Sequence, residues 1–250
     1  MVAELKSHVF HTVKFVLFSV AVTAVFLAFA LYGMFYAKSG TDSKTSVSRS
    51  LSSVHLVLDA GHGGEDGGAV ANGVSEKDIN LAITKALAAY LRFTPYSTHL
   101  TREDDRLLYQ PGEENRKKYY DLVNRVRFAE KIDNAVFISI HQNKFEIPKY
   151  KGLQVYYSPN HALSETFAER IQSDARTYLD SANNRQTKKA NHKIRVLNSL
   201  HMPAVLVECG FLSNPDEAKL LAQNEYQKKI AFTIFLSTLQ FLEENGESLS

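Results

Sequence analysis

Four side chains of the kind that bind metals or move protons stand where short apolar runs end. His62 follows VHLVLD (Val54 to Asp59) by three residues, His141 directly follows AVFISI (Ala135 to Ile140), and Glu208 directly follows AVLV (Ala204 to Val207). Glu76 lies just beyond the glycine-rich stretch AGHGGEDGG that holds His62. Two imidazoles and a carboxylate with a free fourth position form a ligand set of catalytic zinc, which acidifies water and polarises a carbonyl. A second carboxylate beside such a centre can serve as general base and acid. Spacing alone does not assign the two roles. Glu76 taken by itself also reads as a first-turn acid favoured by the helix dipole. Glu208, embedded in PAVLVECGF, is harder to explain structurally, because burying a carboxylate costs roughly several kcal/mol unless it is paired or bound to metal.

Other chemistries fit the residues less well. Gly61-His62-Gly63 is followed by Asp66 where a dinucleotide fingerprint needs its third glycine, and no G-x-x-x-x-G-K-[ST] occurs. Cys209 is the one cysteine, which excludes an intramolecular disulfide and any CxxC zinc or redox motif. Neighbours on a strand face opposite sides, so a cleft-facing Glu208 turns Cys209 into the core as a small hydrophobe rather than a nucleophile. His55, His99, His161, His192 and His201 read as structural or solvated. The net charge of +2 is unevenly spread: residues 1 to 50 hold five Lys or Arg against Glu4 and Asp42, leaving a body with 24 basic and 25 acidic groups. That near-neutral body argues against nucleic acid as a partner.

The elements that must hold these groups alternate. VHLVLD reads as a buried strand opening into the glycine loop. Ser75 and Asp78 make a capping-box-like start to a helix in which Ile79, Ala82, Ile83, Ala86, Leu87, Tyr90 and Leu91 recur at helical spacing. Strands follow near residues 97–101, 135–140, 153–158 and 204–207, with helices near 122–132 and 163–178. Asn214-Pro215-Asp216-Glu217 starts a C-terminal helical region that reaches about Leu242. Such alternation predicts one α/β layered domain over residues 54–250, with ligands gathered beyond the carboxyl ends of its strands. Residues 103–119 and 181–193 read as long exposed loops.

Phe15 to Ala37 is a run of 23 residues without a charge, about 34 Å as a helix, enough for a bilayer core of about 30 Å. Residues 1–37 are therefore expected to be a short tail and one transmembrane helix. A cleaved signal peptide is the alternative, with Ala37-Lys38-Ser39 its only passable cleavage site. Residues 38–53, rich in Ser, Thr and Lys, read as a flexible linker. The expected placement is a membrane-anchored body outside the cytoplasm.

With these residues in view, the chain resembles the Amidase_3 family of zinc-dependent N-acetylmuramoyl-L-alanine amidases. The matching stretches are LVLDAGHGGEDGGA with Glu76 downstream, LTREDD, LVNRVRFAEKIDNAVFISIHQN and MPAVLVECGFLSNPDEAKLL, in order across residues 54 to 245. The resemblance implies a mixed, mainly parallel sheet flanked by helices. It also implies Zn2+ on His62, Glu76 and His141, and Glu208 as the catalytic carboxylate. The short length, single apolar N-terminal span and insertion GEENRKKYYDLVNRV are similar to the germination-specific, spore cortex-maturation amidases of endospore formers. Enzymes of that group strip stem peptides from muramic acid so that a deacetylase acting on the same strand can complete muramic δ-lactam. No helical plug of the kind that blocks some division amidases is evident between His141 and Glu208.

The substrate implied is the glycan strand with its stem peptides. Their carboxylates could be met by Arg185, Lys188, Lys189, Lys144 or Lys149, and Asp59 and Asn143 could orient metal ligands through hydrogen bonds. The competing functions are a zinc peptidase acting on wall peptides and a non-catalytic peptidoglycan-binding protein of the same fold; retention of Glu208 beside a full ligand set disfavours the second.

Overall fold

Strand β1 (His55–Ala60) is buried over its last five residues, as expected of a strand covered on both faces. The computed structural model describes residues 54–249 and places β1 within a six-stranded sheet. A two-stranded hairpin, β2 (Val70–Ala71) and β3 (Val74–Ser75), stands apart from that sheet. The remaining strands are β4 (Ser97–Leu100), β5 (Ala135–Asn143), β6 (Gln154–Tyr157), β7 (Lys188–Lys189) and β8 (Ala204–Phe211). Their spatial order is β4-β1-β5-β8-β6-β7, every pair parallel except β6 with β8. The expected mixed, mainly parallel α/β sheet is thus observed.

Alternate residues of the central strands feed two cores. On one face Leu56, Leu58, Val136, Ile138, Val205 and Val207 pack against α1 (Glu76–Leu91), with α3 (Leu163–Tyr178) and α6 (Asn224–Asn245) in the same layer. Phe167 of α3 stacks on Phe241 of α6 at 4.5 Å between ring centroids. Truncating either to alanine would cost about 3–5 kcal/mol. On the other face Val57, Phe137, Ala204 and Leu206 meet α2 (Lys117–Glu130) and the five-residue α4 (Arg195–Ser199). This second layer is the thinner one. His141 and Glu208, at the carboxyl ends of β5 and β8 on the same face, are only half-buried, while their neighbours Ile140 and Cys209 are buried.

Several expectations shift. Ser75 is the N-cap of α1 in extended conformation, but its side chain makes no capping bond; its Oγ donates to the Gly67 carbonyl instead (3.3 Å), tying the helix start to the glycine loop. Helix α2 begins at Lys117, inside what reads as a charged loop, because its first turn is fastened by Lys117 to Glu65 and Lys118 to Asp66 (2.8 Å) rather than by apolar contacts. Asn214 caps α5 (Pro215–Leu221) as expected, accepting from the Glu217 amide. The C-terminal helical region is divided there, with α6 starting anew at Asn224. The described residues from 54 onward fall in one compact unit. Among them no helix is long and apolar enough to cross a membrane; the anchor and linker expected over residues 1–53 lie outside the described residues.

Candidate active site

The glycine loop after β1 would be unstable without help, since its carbonyls are drawn into the protein. Two buried guanidiniums take them up. Arg102 donates to the Ala60 carbonyl through Nε (2.9 Å) and to the Gly61 carbonyl through Nη2 (3.1 Å). Arg125 donates to Ala60 (2.8 Å) and, through Nη2, to the His62 carbonyl (2.8 Å). His62 itself has a left-handed backbone (φ 62°), a conformation that costs a non-glycine residue about 1–3 kcal/mol and that this pinning offsets.

Three donors converge around this loop. His62, Glu76 and His141 each offer a ligand atom, and these atoms all lie within 4.8 Å of one another. Glu76 Oε1 is 2.8 Å from His141 Nδ1 and 3.3 Å from His62 Nε2. The two imidazole rings meet nearly edge to face, 5.0 Å between centroids. Glycine is required where the rings and carboxylate come closest. A Cβ on Gly61 would fall on the His141 imidazole, and one on Gly68 (φ 66°) would lie 2.5 Å from Glu76 Oε2 and 2.7 Å from His62 Cδ2.

The surroundings fix each group. Asp66 Oδ2 is 2.9 Å from His62 Nδ1, so it accepts that proton and leaves Nε2 turned to the cluster. Glu76 Oε2 accepts from the Ala69 amide (2.7 Å), and Oε1 accepts from the Gln142 amide (3.1 Å). Burial works against the ionised Glu76 carboxyl, but hydrogen bonds from His141 and His62 outweigh it and hold the group well below the usual carboxylate range. Burial likewise disfavours charged His62; its bonds to Glu76 and Asp66 prevail and raise it to about 9.

Glu208 differs in kind. It stands directly opposite His141 in the β5–β8 ladder, so the two side chains share a face. Burial pushes its carboxyl up to about 7, partly opposed by His141. Its Oε2 is buried and has no hydrogen-bond partner among the described residues, which leaves that oxygen free to meet a water or a substrate group. Cys209, the next residue, is turned into the apolar core.

The sequence-predicted His62, Glu76 and His141 are thus brought together, with Glu208 beside them. Asp59 and Asn143 do not orient them. The Asp59 carboxylate accepts from Thr101 (2.7 Å), Ser139 (2.6 Å) and Arg125 (2.5 Å), a buried knot beneath the loop. The Asn143 side chain lines a neighbouring cavity, together with Arg185 and Lys188. Lys144 donates to the Val70 carbonyl (3.1 Å), and Lys149 lies over the Tyr150 ring. Asp66 is the orienting residue that sequence reasoning passed over; the signal was there in His-x-x-x-Asp, four residues apart within the loop.

An α/β sheet with a two-histidine, one-glutamate cluster at its strand ends is the architecture of a metallohydrolase. The Amidase_3 family, described as N-acetylmuramoyl-L-alanine amidase, matches residues 56–238, and the chain belongs to that family. It is 36% identical over 216 residues to the germination-specific N-acetylmuramoyl-L-alanine amidase of Bacillus subtilis, across 85% of this chain and 90% of that protein. Among solved structures it is similar to the CwlD amidase from Clostridioides difficile in complex with the GerS lipoprotein, with 39% identity and a TM-score of 0.72, covering 76% of this chain and 98% of that one. The AmiC2 amidase of Nostoc punctiforme matches at 34% identity and a TM-score of 0.66, covering 76% of this chain and 98% of its own. The protein is a peptidoglycan amidase.

Proposed function

We propose that this amidase is zinc-dependent and acts in spore-cortex maturation, with His62, Glu76 and His141 holding the metal and Glu208 serving as catalytic carboxylate. The observation that carries the reading is three metal-competent donors within 4.8 Å beside a buried carboxylate oxygen that lacks a partner. The donor set suits zinc, and Asp66 supplies the outer hydrogen bond that a ligating histidine needs. Bound zinc would supply a positive charge that polarises the scissile amide carbonyl and acidifies water.

The chain's own groups do the rest. Glu208 accepts the proton of the attacking water and later returns one to the departing L-alanine amine, a double role that suits a carboxyl pushed up to about 7. The amides of Ala69 and Gln142 hold Glu76 in place while this happens. Support for the cortex role comes from the germination-specific relative. Bare muramic acid left by the reaction is what a deacetylase on the same strand would need to complete muramic δ-lactam. A membrane anchor over residues 15–37, with the body outside the cytoplasm, would keep the enzyme at that wall.

The test is digestion of purified cortex peptidoglycan followed by mass spectrometry and zinc analysis. Wild-type protein should release peptides with a free L-alanine amine. Glu208→Gln should keep its zinc while turnover falls by about 10²–10⁴-fold. Near-wild-type turnover by zinc-loaded Glu208→Gln would remove the general-base role. Loss of zinc from that variant, with retention in Glu76→Gln, would exchange the two glutamates.

A further inference from the structure

Glu208 has a neighbour on each side of its strand, and only one of them belongs to the metal cluster. Gln154 of β6 stands directly opposite Glu208 in the antiparallel ladder, so His141, Glu208 and Gln154 form one row on the same face of the sheet. The row then continues to a cation. Arg185 donates from Nη1 to Gln154 Oε1 (3.1 Å) and from Nε to the Lys151 carbonyl (2.7 Å), and its guanidinium lies 4.3 Å above the centre of the Phe211 ring. Its position is therefore fixed from three sides, while Nη2 has no protein acceptor among the described residues.

Lys188 adds a second charge. It pairs with Tyr156 in the β6–β7 register and lines the same cavity of about 240 Å³, walled by Phe145, Tyr150, Tyr156 and Phe211. Phe145 and Tyr150 are exposed at its rim and meet edge to face at 5.0 Å. Neither Arg185 nor Lys188 forms an ion pair among the described residues, although acids elsewhere on the surface take up Lys77, Lys117, Lys118 and Lys228. Tyr156 is raised by burial and by the charge of Glu208, and Arg185 opposes that rise, so both charges act on the phenol. A fixed guanidinium with a free donor, a second cation and aromatic walls is a receptor for an anion carried on a short carbon chain.

We propose that this cavity is the subsite for the peptide side of the substrate, and that Arg185, assisted by Lys188, binds a carboxylate carried one residue beyond the L-alanine that the reaction releases. The inference rests on the amidase reading above and adds the direction in which the substrate lies. Gln154 is one strand spacing, about 5 Å, from Glu208. An extended peptide advances about 3.3–3.6 Å per residue. A carboxylate on the second residue thus falls at the Arg185 end of the row, and the glycan is left to the glycine-loop side.

The experiment uses two soluble muramoyl peptides that differ only in whether the second residue carries a carboxylate or the matching carboxamide. Wild-type protein should favour the carboxylate by roughly ten- to a hundred-fold in kcat/KM, chiefly through KM. Arg185→Gln should bring that ratio close to one, and Arg185→Lys should restore part of it. Calorimetric binding of the corresponding free peptides to Glu208→Gln protein, with and without Arg185→Gln, gives the same comparison without turnover. Equal discrimination by wild type and Arg185→Gln in either format overturns the subsite. Failure of the wild type to cleave either compound while it still binds the carboxylate form overturns the assigned reaction and leaves the subsite standing.

Discussion

In the proposed metal site, protonation and metal binding compete at His62. Without metal, its contacts with Glu76 and Asp66 raise it to about 9, against an ordinary value of 6.5. A raised pKa means the proton stabilises the metal-free fold fully below about pH 6.5, and that contribution is lost as the pH climbs through about 9. A zinc ligand must be the neutral imidazole, so metal uptake has to expel this proton. The zinc-induced rise in Tm should therefore grow between pH 6 and pH 9, and calorimetry in buffers of different ionisation enthalpy should register proton release at pH 7. A zinc effect on Tm that is flat over this range would mean His62 is not a ligand. Asp66→Ala should weaken zinc binding by about 10–100-fold, since the imidazole then loses the partner that fixes its orientation.

At the scale of elements, α2 docks on the sheet through charge more than through oil. Arg125 is 2% exposed and bridges Asp59 of β1 and Asp121 of its own helix, and it also holds the His62 carbonyl. Arg125→Met leaves two buried carboxylates without their cation, so unfolding in urea should show a loss of about 3–5 kcal/mol, with reduced zinc content even in the folded fraction. Unchanged stability would mean that water replaces the guanidinium. This reliance on charge also decides what was legible in the sequence. Strands β1, β5 and β8 were readable because burial on both faces leaves uninterrupted apolar runs, and His141 and Glu208 stood out because they interrupt such runs. The start of α2 was not readable, because Lys117 to Tyr120 offer no apolar spacing and depend on ion pairs with a distant loop. Strand β7 has two exposed lysines and owes its pairing to Tyr156 and Tyr157. The hairpin β2–β3 did have a signal, Asn72-Gly73 with both residues at positive φ, the turn chemistry that joins two strands. The His62, Glu76 and His141 cluster was legible as residue types; Arg185 could be suspected only as one of several loop cations until its hydrogen bond to Gln154, which the β6–β8 register sets opposite Glu208, tied it to the site.

For the whole molecule, the sequence divides the labour between a near-neutral body and a basic, apolar N-terminal segment. A near-neutral body has no strong field to hold it at a surface, so under the proposed placement retention at the wall would come from the substrate or from the membrane. The 23 uncharged residues from Phe15 to Ala37 suit the second means, and with the anchor proposed above residues 38–53 would set how far the site could work from it. A Ser-rich tether of this length has an r.m.s. span of roughly 20–24 Å, and about 53–58 Å at full extension. The enzyme would then reach only glycan close to the membrane from which it projects, which suits a thin layer under construction better than a finished wall. This arrangement requires that the segment stay attached. Intact mass of protein extracted from membranes should retain Met1 or Val2, and washing with high salt should not release it, because apolar insertion is not screened. Recovery of a soluble form beginning near Gly40 would replace the anchor with a cleaved leader, and the reach of the site would no longer be limited by its tether.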